Sequence, residues 1–237
     1  MKHIYFIILL ACFLAACSSN TPTSLSPTPL PLTPLLPTPL SSTLPPPTAI
    51  STDGTIVAMG DSLTEGLGVD PNQTYPAQLD RKLRESGYNY TVVNAGVSLE
   101  TSSGALSRVD WVISSLHPDI VILATGGNDS LRAIDPVLTE QNLRKLVETL
   151  QAADVTVILA GMQTVQNMGE TYTDAFRSIY PAVAADYDLI LIPFLLEGVA
   201  GDPKLNQDDF IHPTAEGYTI VVETVYPYVV RAIVEKD

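Results

Sequence analysis

The sequence predicts a doubly wound α/β domain on a five-stranded parallel sheet, and three observations predict it. First, five short runs rich in Val and Ile, Thr55–Met59, Tyr90–Val93, Asp119–Ala124, Thr156–Ala160 and Leu189–Ile192, read as strands. Most are apolar without alternation, the pattern of strands covered on both faces. Second, helical periodicity fills the stretches between them, so strand and helix alternate along the chain. Third, polar clusters follow several of the runs, where such a sheet presents its carboxyl edge and binds ligands.

The elements follow in order. After strand one, Pro76 suits the first turn of a helix running to about Ser86. A helix over about Gly104–Leu116 separates strands two and three. Leu143, Leu146, Val147 and Leu150 fall at i, i+3, i+4 and i+7, one apolar stripe of a helix before strand four. A fourth helix spans about Thr171–Ala185. Tyr218, Val221, Val222, Val225 and Val229 repeat the stripe after strand five, where Pro227 is expected to kink or interrupt the helix.

What precedes the domain reads differently. Lys2 is followed by an uncharged, mostly apolar run from Ile4 to Ala16. At 1.5 Å per residue this is too short to cross a bilayer core of about 30 Å, and it fits the apolar region of a secretory signal. The run ends Leu14-Ala15-Ala16-Cys17, which resembles the lipobox of bacterial lipoproteins. That resemblance implies removal of residues 1–16, a lipid on Cys17 and an extracytoplasmic membrane anchor. Residues 18–52 hold 10 of the chain's 19 prolines and no charged or aromatic residue. Such a segment cannot bury enough surface to offset its ordering entropy. It is expected to be a disordered, semi-rigid spacer reaching at most about 100 Å in polyproline II geometry. The folded domain is expected over residues 53–237.

Composition narrows the function. With 12 Lys and Arg against 26 Asp and Glu, the formal charge of the 237-residue chain is −14. That balance lacks the basic footprint of a phosphate-backbone binder, so nucleic acid is excluded as a partner. Cys12 and Cys17 are the only cysteines, so no disulfide scaffold or thiolate metal site is expected downstream.

Four polar stretches are expected to converge at one edge of the sheet. They are Gly60-Asp61-Ser62-Leu63, Asn94 to Thr101, Gly126-Gly127-Asn128-Asp129 and Asp209-Phe210-Ile211-His212-Pro213. Each alone fits turn or capping chemistry. Together they fit nucleophilic catalysis, in which a serine needs a base and the base needs an orienting carboxylate. Beyond the signal the chain has two histidines. His117 enters strand three at the opposite edge, as a helix-terminus or surface residue. His212 lies at the correct edge, three residues after Asp209, so Ser62, His212 and Asp209 are the candidate catalytic set. Candidate oxyanion donors are the Ser62 N–H, the Asn128 side-chain amide and a group in the loop after strand two.

These four ordered blocks resemble the SGNH (GDSL) hydrolase family, most closely its bacterial acyl thioesterase/lysophospholipase/arylesterase branch. The resemblance covers nearly all of residues 55–235 and includes Met162-Gln163, Tyr172, Ala175-Phe176 and Ile179-Tyr180-Pro181. It implies a three-layer α/β/α, flavodoxin-like sandwich with strand order 2-1-3-4-5. It also implies Ser62 as nucleophile, Asn128 as oxyanion donor, Asp209 and His212 as the rest of a triad, and no metal or organic cofactor. Two departures stand out. Leu99 occupies the position of a glycine whose N–H serves the oxyanion. Its N–H is expected still to serve beside a narrowed cleft, with Gly96 as the alternative donor. Ala124-Thr125 and Ser130 also depart from the usual pattern, which is expected to stiffen the loop bearing Asn128.

Met162, Met168 and Tyr172 are expected to wall an acyl site, which favours acyl esters or other lipid-like substrates. The expected activity is an anchored serine hydrolase of carboxylic esters and thioesters, acting as a monomer. The alternatives are a carbohydrate O-acetylesterase of the same family, a phosphoesterase with a divalent metal on Asp61, Asp129 and Asp209, and a non-catalytic lipoprotein binding module.

Overall fold

A computed structural model describes residues 52–164 and 168–236. The expectations for the signal, Cys17 and the spacer lie outside the described residues.

Among the described residues five parallel strands form one sheet: β1 (Gly54–Gly60), β2 (Tyr90–Gly96), β3 (Ile120–Ala124), β4 (Thr156–Ala160) and β5 (Ile190–Ile192). Their order is β2-β1-β3-β4-β5, the doubly wound arrangement. The register pairs Gly60 with Gly96 on one side and with Ala124 on the other, so three strands end level at the carboxyl edge. β3 is buried throughout, which explains its unbroken apolar sequence. β2 is an edge strand, partly exposed along much of its length.

Among the described residues seven α-helices accompany the sheet: α1 (Ser62–Glu65), α2 (Tyr75–Glu85), α3 (Ser102–Leu116), α4 (Gly127–Leu131), α5 (Pro136–Gln151), α6 (Glu170–Asp186) and α7 (Ala215–Lys236). α2 packs on α7, and α5 packs on both α3 and α6. Leu143, Leu146, Val147 and Leu150 of α5 are all fully buried, as their spacing requires. Thr74 caps α2 by accepting the Ala77 N–H, and Thr101 caps α3 by accepting that of Gly104. α3 stops at His117, whose left-handed backbone caps it and whose N–H donates to the Ile113 carbonyl at 3.1 Å.

The expected interruption at Pro227 does not occur. α7 continues through it to Lys236, and α6 likewise runs through Pro181. Burial explains the tolerance: Tyr218, Val221 and Val225 before Pro227, and Val229, Ala232 and Ile233 after it, all pack into the core. That packing outweighs one lost helical hydrogen bond.

Candidate active site

The site begins where β1 ends. Asp61 leaves the strand and caps α1, its carboxylate accepting the Leu63 N–H at 3.0 Å. Ser62 is therefore the first helical residue, and its own N–H has no partner among the described residues, as expected at a helix start. The hydroxyl meets His212, whose Nε2 lies 2.8 Å from Ser62 Oγ. On its other side, His212 Nδ1 lies 2.6 Å from Asp209 Oδ2. Asp209 Oδ1 accepts the backbone N–H groups of Ile211 at 2.9 Å and His212 at 3.0 Å. Desolvation alone would raise the Asp209 carboxyl. The His212 N–H, the His212 ring and the Ile211 N–H outweigh it and hold the group at about 2.

Asn128 comes from α4, behind a tight start. Gly126 has φ +108°, and a Cβ there would meet Tyr180 Oη at 2.3 Å, so glycine is required. The Asn128 side-chain amide donates to the Glu100 carbonyl at 3.0 Å and to Asp61 Oδ2 at 3.3 Å. Burial pushes the Asp61 carboxyl up to about 6, although the Leu63 N–H, the His212 charge and the Asn128 amide pull it down. Asp129 faces the other way. It is fully buried and accepts from the Ser102 N–H at 2.8 Å, the Ser102 hydroxyl at 2.5 Å and the Thr139 hydroxyl at 3.3 Å. The segment bearing Asn128 is a helical turn, and Ser130 braces it by donating to the Gly127 carbonyl at 3.1 Å.

The loop after β2 returns beside Ser62. Val97 N–H donates to the Gly60 carbonyl at 2.9 Å, and Ser98 N–H donates to Glu65 of α1 at 2.8 Å. Leu99 has φ +66°, the left-handed region that costs an ordinary L residue about 1–2 kcal/mol. Its N–H has no partner among the described residues. Its side chain is 69% exposed and does not line the adjoining cleft, so it leaves that cleft unnarrowed. Gly96 is not a free donor, because its N–H goes to Asn94 Oδ1 at 2.9 Å. What Gly96 provides is room: a Cβ there would meet the Glu65 nitrogen at 2.1 Å.

A cleft of about 680 Å³ opens beside the relay, lined by the chain neighbours Leu63, Gly127 and Ile211 of Ser62, Asn128 and His212. Met162 lines it, with Leu131, Phe194, Leu196 and Phe210. Met168 and Tyr172 do not. They line a separate groove of about 380 Å³ with Pro136 and Ala175. Tyr172 is held there because its hydroxyl donates to the Ile134 carbonyl at 2.8 Å and its ring stacks on Phe176. Phe194 and Leu196 were not among the expected wall residues, because they carry no polar group at the end of strand five. The apolar run Phe194-Leu195-Leu196 directly after β5 was the available signal.

The three-aspartate metal alternative finds no assembled site. Asp61, Asp129 and Asp209 each have separate partners, and among the described residues no group of three or more His, Cys, Asp or Glu side chains is arranged to hold a metal ion.

The GDSL-like Lipase/Acylhydrolase family matches residues 58–220. Esterase TesA of Pseudomonas aeruginosa is 39% identical over 173 residues, covering 73% of this chain and 86% of that protein. Thioesterase 1/protease 1/lysophospholipase L1 of Escherichia coli is 34% identical over 169 residues, covering 71% of this chain and 80% of that protein. A crystal structure of TesA superposes with a TM-score of 0.73 at 38% identity, covering 75% of this chain and 99% of that one.

Proposed function

The chain belongs to the GDSL-like lipase/acylhydrolase family of ester hydrolases, and from that premise we propose a membrane-tethered serine hydrolase that cleaves carboxylic esters and thioesters of apolar acyl groups. The observation that carries this reading is the unbroken relay from Ser62 through His212 to Asp209, at 2.8 and 2.6 Å, beside a cleft lined in part by Leu131, Met162, Phe194 and Leu196.

In the proposed reaction Ser62 Oγ attacks the acyl carbon and passes its proton to His212 Nε2. Asp209 fixes the ring and stabilises the imidazolium. The oxyanion takes hydrogen bonds from the Ser62 and Leu99 N–H groups and from Asn128. Asn128 releases its longer bond, the one to Asp61, to make that contact. Each such donor contributes about 10²–10³-fold in rate. Collapse of the intermediate breaks the bond to the alcohol or thiol, which leaves with the proton from His212. Water then attacks the acyl-Ser62 ester, gives a proton to His212 and releases the acid, and His212 returns the proton to Ser62. Action as a monomer is part of the same proposal, because the relay needs no residue from a second chain.

The acyl preference is supported by the lining of the cleft, in which Glu197 is the one charged side chain. The names of two relatives, an esterase and a thioesterase/lysophospholipase, point the same way. The test is labelling of Ser62 by a fluorophosphonate probe, with p-nitrophenyl esters from acetate to palmitate as substrates. Ser62→Ala should lose both labelling and turnover. A wild-type chain that neither labels nor turns over any ester would overturn the reading and favour a binding module. A profile confined to acetate would favour the O-acetylesterase instead.

Anchoring on the extracytoplasmic face of a membrane is part of the same proposal. It is supported by Leu14-Ala15-Ala16-Cys17 and by the proline-rich stretch after it. Two or more acyl chains suffice for a stable anchor. No helix among the described residues is long and apolar enough to cross a membrane. Radiolabelled palmitate should enter the protein and be lost with Cys17→Ser; no incorporation into the wild type would remove the anchor from the proposal.

A further inference from the structure

We infer that Arg132 is a positioning residue, which holds Leu99 in its left-handed backbone conformation and so keeps the Leu99 N–H available to the oxyanion. The inference rests on the reaction proposed above and identifies what maintains one of its donors.

Leu99 needs to be held. Its φ of +66° is one that ordinary residues leave unless their surroundings over-determine it. Packing does not supply the constraint, because the side chain is largely exposed. The residues on either side are tied down. Ser98 is bound through its N–H and its hydroxyl to the Glu65 carboxylate. The Glu100 carboxylate is held by Arg108, and its carbonyl receives the Asn128 amide. Leu99 itself has one hydrogen bond among the described residues, donated by Arg132 Nη2 to its carbonyl at 2.8 Å.

Arg132 is placed for this and for no other visible purpose. It makes no ion pair among the described residues, and its guanidinium donates to the Leu99 carbonyl alone. It follows α4 directly, and its own N–H caps that helix by donating to the Asn128 carbonyl at 3.2 Å. One residue thus links the element carrying Asn128 to the peptide that follows Leu99. With that carbonyl released, the turn over Leu99 keeps only the bond from the Glu100 N–H to the Val97 carbonyl at 3.2 Å, and relaxation of Leu99 to negative φ carries its N–H out of place. Glycine at the same position would not relax in this way, because the left-handed region carries no side-chain penalty for it.

The experiment is a double-mutant cycle in the full chain, with Arg132→Met placed in the Leu99 and the Leu99→Gly backgrounds. A medium-chain p-nitrophenyl ester gives kcat and KM, a fluorophosphonate gives the Ser62 labelling rate, and thermal melting reports folding. With Leu99, Arg132→Met should lower kcat by about tenfold or more, within the roughly 10²–10³-fold limit for losing a donor outright. Its KM should stay within about twofold and labelling should slow in parallel, as for an interaction made only in the transition state. With Leu99→Gly, the same substitution should cost less than about threefold, the difference being the coupling that the cycle isolates. Arg132→Lys, which keeps one donor, should recover part of the loss. Equal losses in both backgrounds, or a loss confined to KM or to the melting temperature, would overturn the role of Arg132 while leaving the serine hydrolase intact. A wild-type chain without turnover or labelling would remove both.

Discussion

Asp209 holds His212 twice: Oδ2 meets the ring Nδ1 at 2.6 Å and Oδ1 accepts the same residue's backbone N–H at 3.0 Å. The second bond fixes the backbone that carries the imidazole, and the first fixes the ring. Asp209→Asn can retain the backbone contact through its carbonyl, but it turns an amide towards Nδ1 or forces the other tautomer. We expect kcat to fall about 10³–10⁴-fold while the melting temperature barely changes. Ester turnover within about tenfold of wild type would mean that His212 does not depend on Asp209 for its orientation.

Asp61 gives stability a pH dependence of its own. Its carboxyl is raised from 3.8 to about 6 by burial, so the folded chain holds a proton there that the unfolded chain has already lost. The stabilisation is present in full below the unfolded value and disappears as pH rises through about 6. The gap corresponds to about 3 kcal/mol. Asp209 acts in another window and with the opposite sign. Its depressed carboxyl contributes above pH 3.8, and that contribution is lost as pH falls towards 2. Denaturant melts of wild type and Asp61→Asn at pH 4 and pH 7 separate the two. The variant should gain on the wild type between those values, and an unchanged difference would show that Asp61 titrates normally.

The core and the relay were legible because each leaves a local mark. β3, and β4 after Thr156, are buried on both faces and read as unbroken apolar runs. Ser62, Asp209 and His212 follow strands in short polar clusters that a plain turn does not require. What escaped has no local mark. α1 and α4 are four and five residues long, too short to show a helical period. The continuity of α7 through Pro227 depends on packing along its whole length. The clamps on the Leu99 loop are tertiary: Arg108 and Arg132 look like ordinary surface cations in the sequence, yet they hold Glu100 and the Leu99 carbonyl.

Arg108 and Glu100 form an ion pair whose side chains are 17% and 6% exposed. Nε donates to Glu100 Oε1 at 2.6 Å and Nη2 to Oε2 at 2.7 Å, and Nη2 also reaches the Ala95 carbonyl at 2.9 Å. Arg108→Met leaves the Glu100 carboxylate buried without a partner, and we expect a loss of roughly 3–5 kcal/mol in urea unfolding. Adding Glu100→Gln removes the stranded charge and should restore part of that stability. A double variant no more stable than Arg108→Met would show that the carboxylate is not what the lost cation leaves uncompensated.

The division of the expected acyl wall makes the chain-length preference testable. Met162 and Phe194 line the cleft beside the relay, whereas Met168 lies in a separate groove. Truncating Met162 or Phe194 to alanine removes lining area of the cleft, which a long acyl chain is expected to use more than acetate does. A lost methylene contact is worth about 1–3 kcal/mol, so kcat/KM for long-chain esters should fall by roughly tenfold or more relative to acetate. Met168→Ala should leave the whole ester profile within about twofold of wild type, because nothing in its groove borders Ser62 or His212. The comparison uses ratios between esters in one enzyme, so a general loss of stability or of active protein cancels. An unaltered ratio in Phe194→Ala together with a shifted one in Met168→Ala would place the acyl chain in the other groove.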